Sequence, residues 1–115
     1  RIPIQLEVGP GLKLPYGLLG TVIAADASIG SNATIYQQVT IGSTGKRDGK
    51  HLAPMIGDNV VIFPGAKLLG PITIGEGAII GAGSLVMDEV PPGGLAVATK
   101  GKIVPNEARA LKPLP

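Results

Sequence analysis

The amino-acid sequence predicts an all-β solenoid, a chain of very short strands wound into stacked three-sided coils. Three observations predict it. Ile, Leu or Val returns every sixth residue, at Ile23, Ile29, Ile35 and Ile41, then at Ile56, Ile62, Leu68, Ile74, Ile80 and Val86. Four residues after these beats the side chain is again small or aliphatic: Ala27, Ala33, Val39, Val60, Ala66, Ile72, Ala78, Ser84 and Val90. The residue directly after a beat is often glycine, as at Gly30, Gly42, Gly57, Gly75 and Gly81.

Neither a helical period of 3.6 nor a plain two-residue alternation produces this spacing. Six is even, so positions i and i+4 can face the same side of an extended segment, and glycine beside the large residue frees the backbone to turn. Three such segments close a coil. Coils then stack at the strand spacing of about 4.8 Å, and the beat residues form aliphatic columns inside. At roughly 1.5–3 kcal/mol per buried Ile or Leu, these positions supply the core, each coil leaning on its neighbours. A small β-sandwich is the alternative, and ten beats in register weigh against it.

Composition fits a tightly turning repeat. Without a period, 18 Gly and 11 Pro in 115 residues would suggest disorder; with 44% hydrophobic residues and a strict beat they suggest turns. The length suits one domain, spanning 1–115. It begins at Arg1 rather than Met, which leaves open a fragment lacking an N-terminal segment. A net charge of +2 is too small and scattered for a nucleic-acid surface. There is no cysteine for disulfide or thiol chemistry. Uncharged apolar stretches such as Gly77 to Met87 are far short of a membrane span. No signal peptide is visible, so a cytoplasmic protein is the default expectation.

Along the chain, Val8 and Leu14 fit an earlier pair of beats, and the run from Ile23 to Ile41 makes the first coils. From Ile41 to Ile56 is fifteen residues, two beats plus three, so residues 43–55 are expected to protrude as a loop. That loop holds the cations Lys46, Arg47 and Lys50, a Gly hinge at Gly49 and the chain's one histidine, His51. Loops on rigid scaffolds are where binding chemistry gathers. The cations suit a phosphate-bearing ligand, or serve only to keep a loop solvated. His51 has the one side chain with a reference pKa near neutrality, ~6.5, which suits general-base work; an idle solvated histidine is the alternative. Asp26, Asp58 and Glu76 fall at turns and read as solvated corners. One histidine excludes a three-histidine metal site, and no other metal cluster appears. From Ile56 the beat runs on to Val90, and residues 105–115 are expected to form a tail of mixed polarity with one short helical turn, an expectation that beyond residue 105 lies outside the residues described below.

The repeat, with "IYQQVTIGSTGK", "APMIGDNVVIFPGAKLLGPITIGEGAIIGAGSLV" and "DEVPPGG", resembles the hexapeptide-repeat acyltransferases, above all the serine O-acetyltransferase branch and the related sugar and polysaccharide O-acetyltransferases. The resemblance covers roughly residues 8–104 and implies a left-handed parallel β-helix, acetyl-coenzyme A as co-substrate without a metal, and a homotrimer with cofactor grooves between subunits. It places Lys46 and Arg47 on the cofactor phosphates and His51 as the loop base. Ala82 and Ser84 in "GAGSLVMDEVPPGG" would line the pantetheine arm. Thr99, Lys100 and Lys102 in "AVATKGKIV" match the cofactor motif at the far end, where a polar cap on the solenoid is an equally good role. The pattern breaks at "LKLPYG": Pro15 and Tyr16 stand where the family carries Asp-His or Pro-His. A phenol is a weak base at neutral pH, so Tyr16 is read as substrate-binding, and serine as acceptor is put in question.

The function expected is an acetyl-CoA-dependent O-acetyltransferase acting on a hydroxyl of a small acceptor, a sugar or a serine-like molecule. The competing expectation is a catalytically weak or inert β-helix that serves as an oligomerisation or interaction module.

Overall fold

The computed structural model describes residues 6–44, 46–47 and 50–105, with the backbone alone at Lys46, Arg47, Lys50 and His51. Among them are fourteen strands of two or three residues and no helix. The first strands are β1 (Glu7–Val8), β2 (Val22–Ile23), β3 (Ser28–Ile29), β4 (Thr34–Ile35) and β5 (Thr40–Gly42). Next come β6 (Lys46–Arg47), β7 (Lys50–His51), β8 (Met55–Ile56), β9 (Val61–Ile62) and β10 (Lys67–Leu69). The last are β11 (Thr73–Ile74), β12 (Ile79–Ile80), β13 (Leu85–Val86) and β14 (Leu95–Ala96).

All but β6 and β7 fall into three parallel sheets of four strands, ordered β1-β3-β8-β11, β4-β9-β12-β14 and β2-β5-β10-β13. From β2 to β13 the strands of the large sheets visit the three faces in turn, and isolated bridges at Lys13 and Val90 stand where the first and last coils lack a strand. Register then puts beat on beat. Val8, Ile29, Ile56 and Ile74 pair in one column, which the Ile74–Val90 bridge extends. Ile35, Ile62, Ile80 and Ala96 form the second, and Ile23, Ile41, Leu68 and Val86 the third.

The beats from Ile29 to Val86 are buried, and so is every i+4 residue from Ala27 to Val90. Val8 is largely exposed, while Leu14 and Ile23 are only partly buried, because the first coil has no neighbour on its outer side. Ser84 is the sole buried polar side chain among the described residues, and its hydroxyl donates to the Gly81 carbonyl.

The glycines after the beats have a different reason from the one expected. Gly30, Gly42, Gly57, Gly75 and Gly81 do not have positive φ. They are glycine because the next coil lies against them: a Cβ on Gly57 would sit 2.9 Å from both Glu76 N and Ile74 O, closer than real Cβ atoms come. The turn itself is made two residues later, where positive φ recurs at Asn32, Gln38, Asn59, Gly65, Gly77 and Gly83. Glycine and asparagine adopt that conformation readily. Gln38, at φ 61°, does so against its side-chain sterics.

Removing column atoms should therefore cost far more than removing face atoms. Leu68→Ala is expected to lower unfolding free energy by about 2–5 kcal/mol. Leu85→Ala, at a residue 61% exposed in the neighbouring strand, should stay within about 0.5 kcal/mol. Urea titration of the two variants checks the contrast.

Candidate functional site

The interruption after Gly42 is a hairpin of its own. β6 and β7 pair antiparallel, with Lys46 opposite His51 and Arg47 opposite Lys50, and join none of the three large sheets. Between them stand Asp48 and Gly49, a pair well suited to two-residue hairpin connections. The hairpin is closed at its neck by Thr44 N–H donating to the Leu52 carbonyl at 2.9 Å. Its base rests on the next coil, where Gly70 N–H donates to the Gly42 carbonyl at 3.0 Å. Backbone register thus sets the histidine opposite the first of the cations.

The excursion is shorter than expected. Ala53 and Pro54 were expected among the protruding residues 43–55, yet both are buried, and Met55 already belongs to β8. The core takes back the chain as soon as the neck closes: Ser28 N–H donates to the Pro54 carbonyl, and the register that sets Ile56 against Ile29 brings Pro54 beside buried Ala27.

The other candidate residues lie on a different edge of the solenoid, where the chain passes from the β4-β9-β12-β14 face to the β2-β5-β10-β13 face. Tyr16 stands there in the first coil, 62% exposed. Its ring lies 6.3 Å from that of Tyr36, at 40°, and Tyr36 stacks on Phe63 at 5.2 Å and 16°. The ladder exists because Tyr36 and Phe63 each directly follow beats that are paired, Ile35 and Ile62. Further along the same edge come Gly81–Gly83, including exposed Ala82, and then exposed Thr99 and Lys100 after β14, with Lys102 exposed beyond.

Ser84, expected to line the pantetheine arm, turns its side chain away from the surface. As an i+4 residue its side chain points into the solenoid, 2% exposed, with its hydroxyl committed to Gly81. Only backbone groups of Ser84 can meet a ligand. Asp58 acts as a clamp between coils, its Oδ1 accepting the Ser31 N–H at 2.7 Å. Glu89 does the same for Thr73 N–H at 2.6 Å. Among the described residues no three His, Cys, Asp or Glu side chains group as metal ligands, and no helix is long and apolar enough to cross a membrane.

The candidate residues therefore lie on two edges: a hairpin with Lys46, Arg47 and His51 after β5, and a ladder edge with Tyr16, Ala82, Thr99 and Lys100. The sheet containing β5 separates them. Residues 53–87 match the family described as bacterial transferase hexapeptide (six repeats). By its repeat, the chain is similar to the hexapeptide-repeat transferases. A serine acetyltransferase of Staphylococcus xylosus is 46% identical over 105 residues, covering 91% of this chain and 48% of that protein. The crystal structure of Neisseria gonorrhoeae serine acetyltransferase matches with a TM-score of 0.76 and 42% identity, over 88% of this chain and 40% of that one. A serine acetyltransferase solved in complex with CoA matches at 0.74 and 32% identity, over 87% and 40% respectively. The chain thus spans about half the length of the curated relative it matches. The coil of this hexapeptide-repeat chain is the left-handed parallel β-helix that the resemblance implied.

Because the hairpin pairs only with itself, it should be removable. Replacing 45–51 by a short Gly-Ser link is expected to change stability by no more than about 1 kcal/mol. Ala53→Asp, two residues past it, places an unpaired charge in the core and should cost more than about 2 kcal/mol. Thermal melts followed by circular dichroism distinguish the two.

Proposed function

We propose that this chain is the acyl-transfer unit of a cytoplasmic, acetyl-CoA-dependent O-acetyltransferase that acts on a hydroxyl of a small acceptor. The observation that carries the reading is the hairpin. It interrupts an otherwise unbroken repeat, and its backbone register sets the chain's one histidine opposite Lys46, on a scaffold similar to serine acetyltransferases.

In this reading His51 takes the proton of the acceptor hydroxyl as its oxygen forms a bond to the thioester carbonyl carbon. The tetrahedral intermediate's oxyanion is met by backbone N–H groups. Its collapse breaks the C–S bond, and the proton held by His51 goes to the departing thiolate, giving the acetyl ester and free coenzyme A. Lys46 and Arg47 neutralise cofactor phosphates. Ala82, the backbone of Ser84, Thr99, Lys100 and Lys102 follow the pantetheine arm along the ladder edge. Tyr16 touches the acceptor. The hairpin and the ladder edge flank one face within a chain, so a homotrimer that sets one copy's hairpin against the next copy's ladder edge completes the site.

The second reading, an inert oligomerising module, is favoured by one observation: Tyr16 stands at the position of the family's principal base.

Light scattering is expected to return three times the chain mass; a monomer at micromolar concentration removes the composite site. Lys46→Ala with Arg47→Ala should weaken coenzyme A binding by calorimetry, and more so at low salt, where charge attraction is least screened. His51→Ala should leave that binding nearly intact while acetyl transfer falls about 10²-fold or more. An intact trimer that takes up no coenzyme A at millimolar concentration decides for the inert module.

A further inference from the structure

The hairpin is a two-stranded ribbon, and its register sorts the charges it carries. Residues directly opposite in an antiparallel pair share a face, and consecutive residues alternate between faces. Lys46 is opposite His51, and Arg47 is opposite Lys50. Lys46 and His51 therefore hold one face of the ribbon, while Arg47 and Lys50 hold the other. The chain's one imidazole thus shares a face with a lysine. Among the described residues no other lysine stands in register with it. Lys13 and Lys67 pair within the large sheets, and Lys100 and Lys102 follow β14.

The ribbon leaves the solenoid from a fixed root. Besides the hydrogen bonds at its neck and base, Leu69 packs over Gly42, where a Cβ would come within 2.9 Å of Leu69 Cδ2. A Cβ on Gly70 would touch Thr44 Cγ2 at 3.5 Å, so the approach to the ribbon also lies on the next coil. On the return side the chain enters the core at once, with Ala53 and Pro54 buried. Directly opposed residues have Cβ atoms about 4.5–5.5 Å apart. An amine on a lysine stem is therefore tethered within reach of a group that His51 serves, at high effective concentration.

We infer that Lys46 is an internal acceptor: when no hydroxyl acceptor is bound, the acetyl group of acetyl-CoA passes to its Nζ. The inference rests on the acetyltransferase reading and adds a modification site to it. The lysine ammonium first gives one proton to water through its ordinary equilibrium. The neutral amine forms a C–N bond to the thioester carbonyl carbon, and His51 takes a second proton from nitrogen. The C–S bond then breaks, and His51 passes that proton to the departing thiolate. The products are an acetyl-lysine amide, free coenzyme A and one proton in solvent. An amide is harder to reverse than the oxygen ester made on an acceptor, so the mark stays. It replaces a cation by a neutral group, and ties the hairpin's charge to the balance between donor and acceptor.

The hairpin contains its own control, because Lys50 is close in sequence but on the opposite face. The purified oligomer is incubated with acetyl-CoA alone, and acetyl-lysine at each site is followed by peptide mass spectrometry. Coenzyme A binding is measured in parallel by calorimetry. Lys46 is expected to gain acetyl at least about tenfold faster than Lys50, Lys13 or Lys67, at a rate that saturates with acetyl-CoA. His51→Ala should bring Lys46 down to the Lys50 rate. The double exchange Lys46→Arg with Arg47→Lys keeps composition and charge but moves the amine to the other face. Acetylation at the exchanged position should also fall to the Lys50 rate, with circular dichroism confirming the fold of each variant. Equal rates at Lys46 and Lys50, no acetylation at Lys46, or an exchanged variant acetylated as fast as the parent overturns the inference. With coenzyme A bound in those cases, the acetyltransferase reading stands. A folded oligomer that binds no coenzyme A removes that reading, and this inference with it.

Discussion

Everything in this molecule depends on one aliphatic side chain lying directly above another at the spacing of hydrogen-bonded strands. Ile29 over Ile56 over Ile74 fixes the register of a whole face, and the other two columns fix theirs. Once the columns are aligned, each coil must repeat the path of the last almost atom for atom. The residue after each beat then has no room for a side chain, and the turn has one place to occur. The columns also leave no polar interior to build with. Chemistry has to be carried on edges and on whatever the repeat expels.

Much of the fold was legible because this constraint writes itself into sequence at a fixed interval. The i and i+4 positions named the buried set from Ile29 to Val90 correctly, down to Ser84 as its polar member. Glycine was located correctly and explained wrongly, since local turn freedom and close approach of a distant coil leave the same letter behind. The far edge of the protruding segment differs from expectation because Ala53 and Pro54 are ordinary loop residues by composition, and only the pairing of β8 with β3, which brings Pro54 beside Ala27, shows why they are inside.

The site was legible in parts. Hairpin residues Lys46, Arg47 and His51 announced themselves by breaking the beat. The sequence signal for paired strands there is Asp48-Gly49, a pair common in two-residue hairpin connections. The aromatic ladder was missed, although its signal was present: Tyr36 and Phe63 occupy the position after a beat where glycine usually stands. A repeat shows its chemistry where it departs from itself. Pairing of Tyr16 with Tyr36 had no such mark, since the first coil is the least regular.

The three-sided register has a consequence for how such a chain can change. Ile74 lies on Ile56, eighteen positions earlier, so an internal duplication of eighteen residues inserts one complete coil and leaves every later side chain facing as before. A duplication of six also preserves the buried pattern, but it advances all that follows by one face. Whatever lay beyond the insertion would then be carried from one edge to the next. Slippage by a single hexad can therefore bring an aromatic edge and a cationic hairpin into line, or part them, while every buried position stays buried. Lineages built on this coil can rearrange their surfaces by copying errors that the core does not register.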